Sequence, residues 1–174
     1  MTLLFPSLAF GVTMDDLVKR DGIHYEKFSD VPFTGKVTGK SQGSFRNGEE
    51  DGLWVYYYDK GQLFSKGTYR DGKEDGPWVS YWETGQLLSK ETFKDDKEEG
   101  SWVHYHYNGK LQYKGTYKDG NKHGPSVRYH KNGQLASKGT FKDNNREGLW
   151  VTYNEDGTVW KEQTGTFKDG VKVK

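Results

Sequence analysis

GLWVYYYDKGQLFSKGTYRDGKED, from Gly52 to Asp75, is a pattern that the chain repeats. GPWVSYWETGQLLSKETFKDDKEE follows from Gly76, GSWVHYHYNGKLQYKGTYKDGNKH from Gly100 and GPSVRYHKNGQLASKGTFKDNNRE from Gly124. A fifth unit opens at Gly148. The openers stand 24 residues apart, so the units read as 52–75, 76–99, 100–123, 124–147 and 148–170. A fixed period of this length marks a repeat array, in which each unit buries its apolar face against its neighbours. Each unit carries two strand signals and two turn signals. Asn108-Gly109, Asn132-Gly133 and Asp156-Gly157 suit a two-residue hairpin turn, with Lys60-Gly61 and Thr84-Gly85 in the same place. The second turn centres on Asp71-Gly72, Asp119-Gly120 and Asp169-Gly170. No connection is long enough for a parallel crossover. The expected fold is therefore all-β: an elongated antiparallel meander of 24-residue hairpins in a single twisted or curled sheet, advancing about 10 Å per unit.

A two-residue turn at Lys60-Gly61 sets the expected pairing. Tyr58 faces Leu63, Tyr56 faces Ser65 and Trp54 faces Gly67, so that an indole covers the glycine across its own hairpin. The same register sets Trp78 against Glu91, Trp102 against Gly115 and Ser126 against Gly139. Val55 and Tyr57 lie on the other face, with Tyr81, Tyr105, Tyr129 and Tyr153 in equivalent places. The fifth unit holds two extra residues between Val159 and Gly165, an even number that leaves Val159 and Phe167 on one face.

Composition narrows the function. Aromatic residues make up 16% of the 174 residues, Gly is high at 23 and Pro low at 4, which excludes a helical bundle. With 26 Lys+Arg against 25 Asp+Glu, nucleic acid is not an expected partner. The absence of Cys removes disulfides, thiolate catalysis and Cys-bound metal. Residues 1–11 read as a truncated signal peptide: Leu3, Leu4, Phe5, Leu8, Ala9 and Phe10 form an apolar run that ends in small residues, without a basic start. That implies export to the periplasm or cell surface; without a signal the protein is cytoplasmic. Residues 12–51 form an N-terminal cap with a degenerate unit, and 171–174 a tail.

No nucleophile, base and oxyanion donor share a recognisable spacing, so no catalytic or cofactor residue is assigned and the chain reads as a non-enzyme. His104 and His106 alternate on a strand, as a zinc chelate requires, but His130 lies about 10 Å away, so no metal site is assigned. Acidic turns such as Asp95, Asp96, Glu98 and Glu99 are interrupted by Lys97 and read as solvated. Lys66, Lys90, Lys114 and Lys138 form a ladder that keeps a long sheet soluble. The candidate partner-binding residues are Trp54, Tyr57, Trp78, Tyr81, Trp82, Trp102, Tyr105, Tyr129, Trp150 and Tyr153, since two aromatic faces on one sheet leave rings accessible. Ser126, Glu91, Trp82 and Trp160 break the pattern and join them as candidate contact positions.

Tyr113-x-Gly115-x-Tyr117, followed by Lys118-Asp119-Gly120 and His123-Gly124, resembles the MORN repeat. The 24-residue form with W-V-x-Y-x-x-x-G-Q-L resembles the variant repeats of the bacterial YwqK antitoxin family. The resemblance covers Gly52 to Gly170. It implies a toxin–antitoxin partnership or a scaffold that binds another protein. Two alternatives stay open beside it: a cell-wall or carbohydrate-binding module whose rings stack on sugars, and a lipid-surface scaffold.

Overall fold

The computed structural model describes residues 11–174, so the signal-peptide reading lies almost wholly outside the described residues. A 3-10 turn, Met14–Asp16, leads into a small hairpin of Leu17–Arg20 and Ile23–Glu26. One antiparallel sheet follows, its strands adjacent in chain order from Gly35–Val37 to Val171–Lys172. It is an open meander of hairpins that matches the 24-residue period.

The turns differ from the two-residue expectation at one end of each hairpin. Tyr58 N–H donates to the Gln62 carbonyl at 2.8 Å, and Gly61 N–H donates to the Tyr58 carbonyl at 2.8 Å, enclosing three residues. Gly61 alone carries the positive φ, 83°, and the same holds for Gly85, Gly109, Gly133 and Gly157. Asn108, Asn132 and Asp156 keep ordinary φ. The loop is one residue longer than expected, and a one-residue bulge between Tyr56 and Tyr57 takes up the difference. Tyr57, not Tyr58, therefore pairs with Leu63, while Tyr56↔Ser65 and Trp54↔Gly67 fall as expected. At the opposite end the turns do have two residues with left-handed φ, as at Asp71 (49°) and Gly72 (73°). Each unit's opening glycine, such as Gly76 at φ 103°, sits where the ladder skips two residues, and Thr68 Oγ1 donates to the Asp75 carbonyl across that kink.

The core is a file of rings along one face. Phe33, Phe45, Trp54, Tyr69, Trp78, Phe93, Trp102 and Tyr117 touch in succession, with centroids 4.7 to 6.4 Å apart. The indoles do not cover the glycine across their own hairpin. Trp54 occupies the space a Cβ on Gly43 would need, Trp78 that of Gly67 and Trp150 that of Gly139. Each of these three tryptophans thus roofs the glycine eleven residues before it, in the preceding unit, and locks neighbouring units together. The physical reason is that a strand residue has two flanking strands; Cα pairing names one, and the ring leans toward the other.

The small N-terminal hairpin closes one end of this file. Leu17, Phe33, Val37, Phe45 and Trp54 form one buried cluster, and His24 is buried with its ring 4.6 Å from Phe45. At the other end the extra residues of the fifth unit are extruded. Trp160 to Thr164 makes a turn outside the ladder, while Trp150 still pairs with Gly165. Val159 is consequently exposed and Phe167 buried, so the two do not share an environment.

Candidate functional site

The two faces of the sheet have opposite characters. On the ring face Trp54, Trp78 and Trp150 are only 1, 6 and 2% exposed, leaving no surface for a partner; three of the candidate contact residues are core. Trp102 is half-buried, because Glu91 stands where its roofed glycine would be. Burial raises the Tyr56, Tyr69 and Tyr117 hydroxyls above the usual phenol range. It also raises Glu74, aided by the nearby carboxylates Asp96, Glu91 and Glu98.

The other face is built of rows that cross the strands. Val55 pairs with Lys66, which pairs with Val79, then Lys90, Val103, Lys114, Val127, Lys138 and Val151 in order. The lysines are exposed and the valines half-buried. Strand spacing places successive lysines about 10 Å apart. None of the four has an ion pair among the described residues. Two residues along each strand lies a row of Thr68, Thr92, Thr116 and Thr140, and beyond it Arg70, Lys94, Lys118 and Lys142. Arg70 bonds Asp75 at 3.1 Å. Tyr57, Tyr81, Tyr105, Tyr129 and Tyr153 border the valines on the side of the three-residue turns and are half-buried. Leu53 and Leu149, on the same face, are 60 and 65% exposed.

The turn edge staples units together. Tyr58 Oη donates to the Tyr81 carbonyl at 2.8 Å. His106 Nε2 lies 3.0 Å from the Tyr129 carbonyl and His130 Nε2 2.9 Å from that of Tyr153. Trp82 takes the equivalent place and meets the Tyr107 ring at 5.6 Å. His104 instead faces the ring side and pairs with Glu91 at 2.9 Å. His104 and His106 therefore serve different neighbours, and no three potential metal ligands converge among the described residues.

The lysine–valine comb is the site that the aromatic candidates did not include. Its signal was present in the sequence as the 24-residue lysine period, but a period alone does not say that the lysines lack acidic partners.

The family described as MORN repeat variant matches residues 50–71, 74–95, 98–119, 122–143 and 146–168. Each match begins two residues before an opening glycine or close to it, spans the kink and the long hairpin, and ends near the next left-handed turn. No curated protein matches the chain. With five matched units, each spanning one hairpin, the chain belongs to the MORN repeat variant family.

Proposed function

We propose that the protein is a non-enzymatic scaffold that binds another protein through its valine, lysine and tyrosine face. The observation that carries this is the row of four exposed lysines, without an ion pair among the described residues, alternating with half-buried valines and bordered by tyrosines. Tyrosine is favoured at contact surfaces, offering a large apolar ring with a polar tip, and a charged rim sets orientation. Four cations at a regular spacing suit a partner surface rich in Asp and Glu. A non-catalytic role is supported by His106 and His130, whose ring nitrogens are engaged by backbone carbonyls of the next unit. The narrower form of the proposal is an antitoxin-like partnership, in which this face covers a working surface of the partner. Export is proposed on the residue 1–11 pattern.

A second reading, an anionic lipid surface, draws support from Leu53 and Leu149 beside the lysines. A glycan site that stacks sugars on the tryptophans is disfavoured by the burial of Trp54, Trp78 and Trp150.

Affinity capture from source-cell lysate supplies the partner, and calorimetry then tests the face. Y81S/Y105S/Y129S should weaken partner binding at least tenfold while circular dichroism stays unchanged. Unaffected binding would overturn the face assignment. Salt-sensitive sedimentation with phosphatidylserine vesicles, without a captured protein, would favour the lipid reading.

A further inference from the structure

Two residues before each unit's opening glycine stands a charged residue, and its sign changes once along the array. Glu50, Glu74 and Glu98 are followed by Lys122 and Arg146, and the same place at the end of the fifth unit holds Lys172. Each lies directly across its turn from a ring: Phe45↔Glu50, Tyr69↔Glu74, Phe93↔Glu98, Tyr117↔Lys122, Phe141↔Arg146 and Phe167↔Lys172. Residues paired in this way share a face, so the six form one column on the ring face, away from the lysine comb. Strand spacing sets successive members about 10 Å apart.

The column lacks partners of its own. Glu50 lies 3.9 Å from His24 Nδ1, and the other five make no ion pair among the described residues. Lys122 and Arg146 lie instead over the Phe141 and Trp150 rings, at 5.5 and 4.7 Å. The rings beside the column are incompletely covered as well: Phe93, Trp102, Tyr117 and Phe141 are half-buried. Only at the start of the array does the N-terminal cap close the face, where Leu17 joins Phe45 and Trp54 in one buried cluster.

We propose that the ring face binds a second copy of the chain, face to face and antiparallel. A two-fold axis along the strand Leu111–Lys118 reverses the column. Glu98 then meets Lys122 of the other copy, Glu74 meets Arg146 and Glu50 meets Lys172, each twice by symmetry. On the axial strand Tyr113 is flanked by His104 and Arg128. The same rotation therefore brings Arg128 of the other copy over His104, beside its carboxylate partner Glu91. A parallel copy would set like charges side by side. The strand Glu49–Tyr57 falls opposite Val171–Lys172, so the cap abuts the end of the other copy and does not lie beneath it. Two sheets about 10 Å apart bury their inner faces as a sandwich does. The shared strip, about 50 Å by 15 Å, amounts to about 700 Å² per copy, close to a standard specific interface. Both lysine combs face outward, so the dimer displays the proposed contact surface twice.

Sedimentation velocity of the full chain tests this. It should show a monomer–dimer equilibrium at micromolar concentration, with a dissociation constant that rises about fivefold or more from low to high salt. By symmetry E98K and K122E each place two like-charge contacts in a homodimer, so each should weaken it at least tenfold while circular dichroism stays unchanged. Mixed one to one, the two variants are complementary again and should recover the parent's dimer. Carbodiimide coupling of unlabelled with heavy-isotope-labelled parent chain should join Glu98 of one copy to Lys122 of the other. A parent chain that stays monomeric up to about 100 µM would overturn the proposal. So would a dimer indifferent to both reversals, or two weakened variants that do not recover on mixing.

Discussion

Gly67 has no side chain because the Trp78 indole occupies the space that a Cβ would need. Glycine inside a strand is ordinarily unfavourable, but here the ring replaces the missing packing and joins two units. G67A must push Trp78 off the backbone and should cost about 1–3 kcal/mol in urea unfolding, whereas K66A, on the open face, should stay within about 0.5 kcal/mol. A G67A variant as stable as K66A would contradict the roofing arrangement. Glu74 makes the electrostatic counterpart. Burial, with Asp96, Glu91 and Glu98 nearby, holds its carboxyl above the ordinary value of 4.5. A raised native pKa means the folded state holds the proton more tightly, so this contribution favours folding at pH below 4.5 and is lost as pH rises through the native value. E74Q removes that loss. Its melting temperature should exceed that of the parent by ~1–3 °C at pH 7 and match it near pH 4; a variant less stable at pH 7 would contradict the assignment.

The two ends of each hairpin use different turn chemistry for physical reasons. At the three-residue end a single glycine takes the left-handed φ. At the two-residue end both positions do, and Asp143-Asn144 manages it without glycine, at φ 48° and 68°. Asn144 draws a return from its side chain: its Oδ1 accepts from the Lys122 N–H at 2.9 Å, in the preceding unit. The equivalent place in the first unit is Gly72, at φ 73°. Thermal unfolding should therefore show G72A losing about 1 kcal/mol while G72N stays near the parent, since Asn tolerates this conformation and gains a bond to the neighbouring strand. Equal losses in both would show that the inter-unit bond contributes nothing. The same turns show how far sequence reasoning reached. Period, strand direction and the Trp54↔Gly67 register were all legible, because a three-residue loop plus a one-residue bulge leaves the same frame as a two-residue loop. For that reason the loop itself was not legible, and neither was the pairing of Tyr57 with Leu63.

Taken along its length, the protein is a sheet whose two faces divide the labour. The ring face joins unit to unit; the lysine face is left open. Sequence alone showed aromatic ladders on both sides and could not tell core from surface. Burial of a ring depends on which neighbouring unit it leans toward, and alternation along a strand does not encode that. Trp54, Trp78 and Trp150 thus moved from candidate contacts to core, while Tyr57, Tyr81, Tyr105, Tyr129 and Tyr153 remain half-exposed beside the lysines. His104 and His106 alternate as a zinc chelate requires, but the carbonyl partner of His106, like that of His130, lies 23 residues on, in the next unit, beyond any local pattern. The claim that the lysine face is the contact surface is tested most directly by lysine acetylation footprinting of the full chain, with and without its captured partner. Lys66, Lys90, Lys114 and Lys138 should lose reactivity together on binding, while Lys60 and Lys131, in the exposed turns, keep theirs. Protection confined to the turns, with the four mid-sheet lysines unchanged, would contradict it.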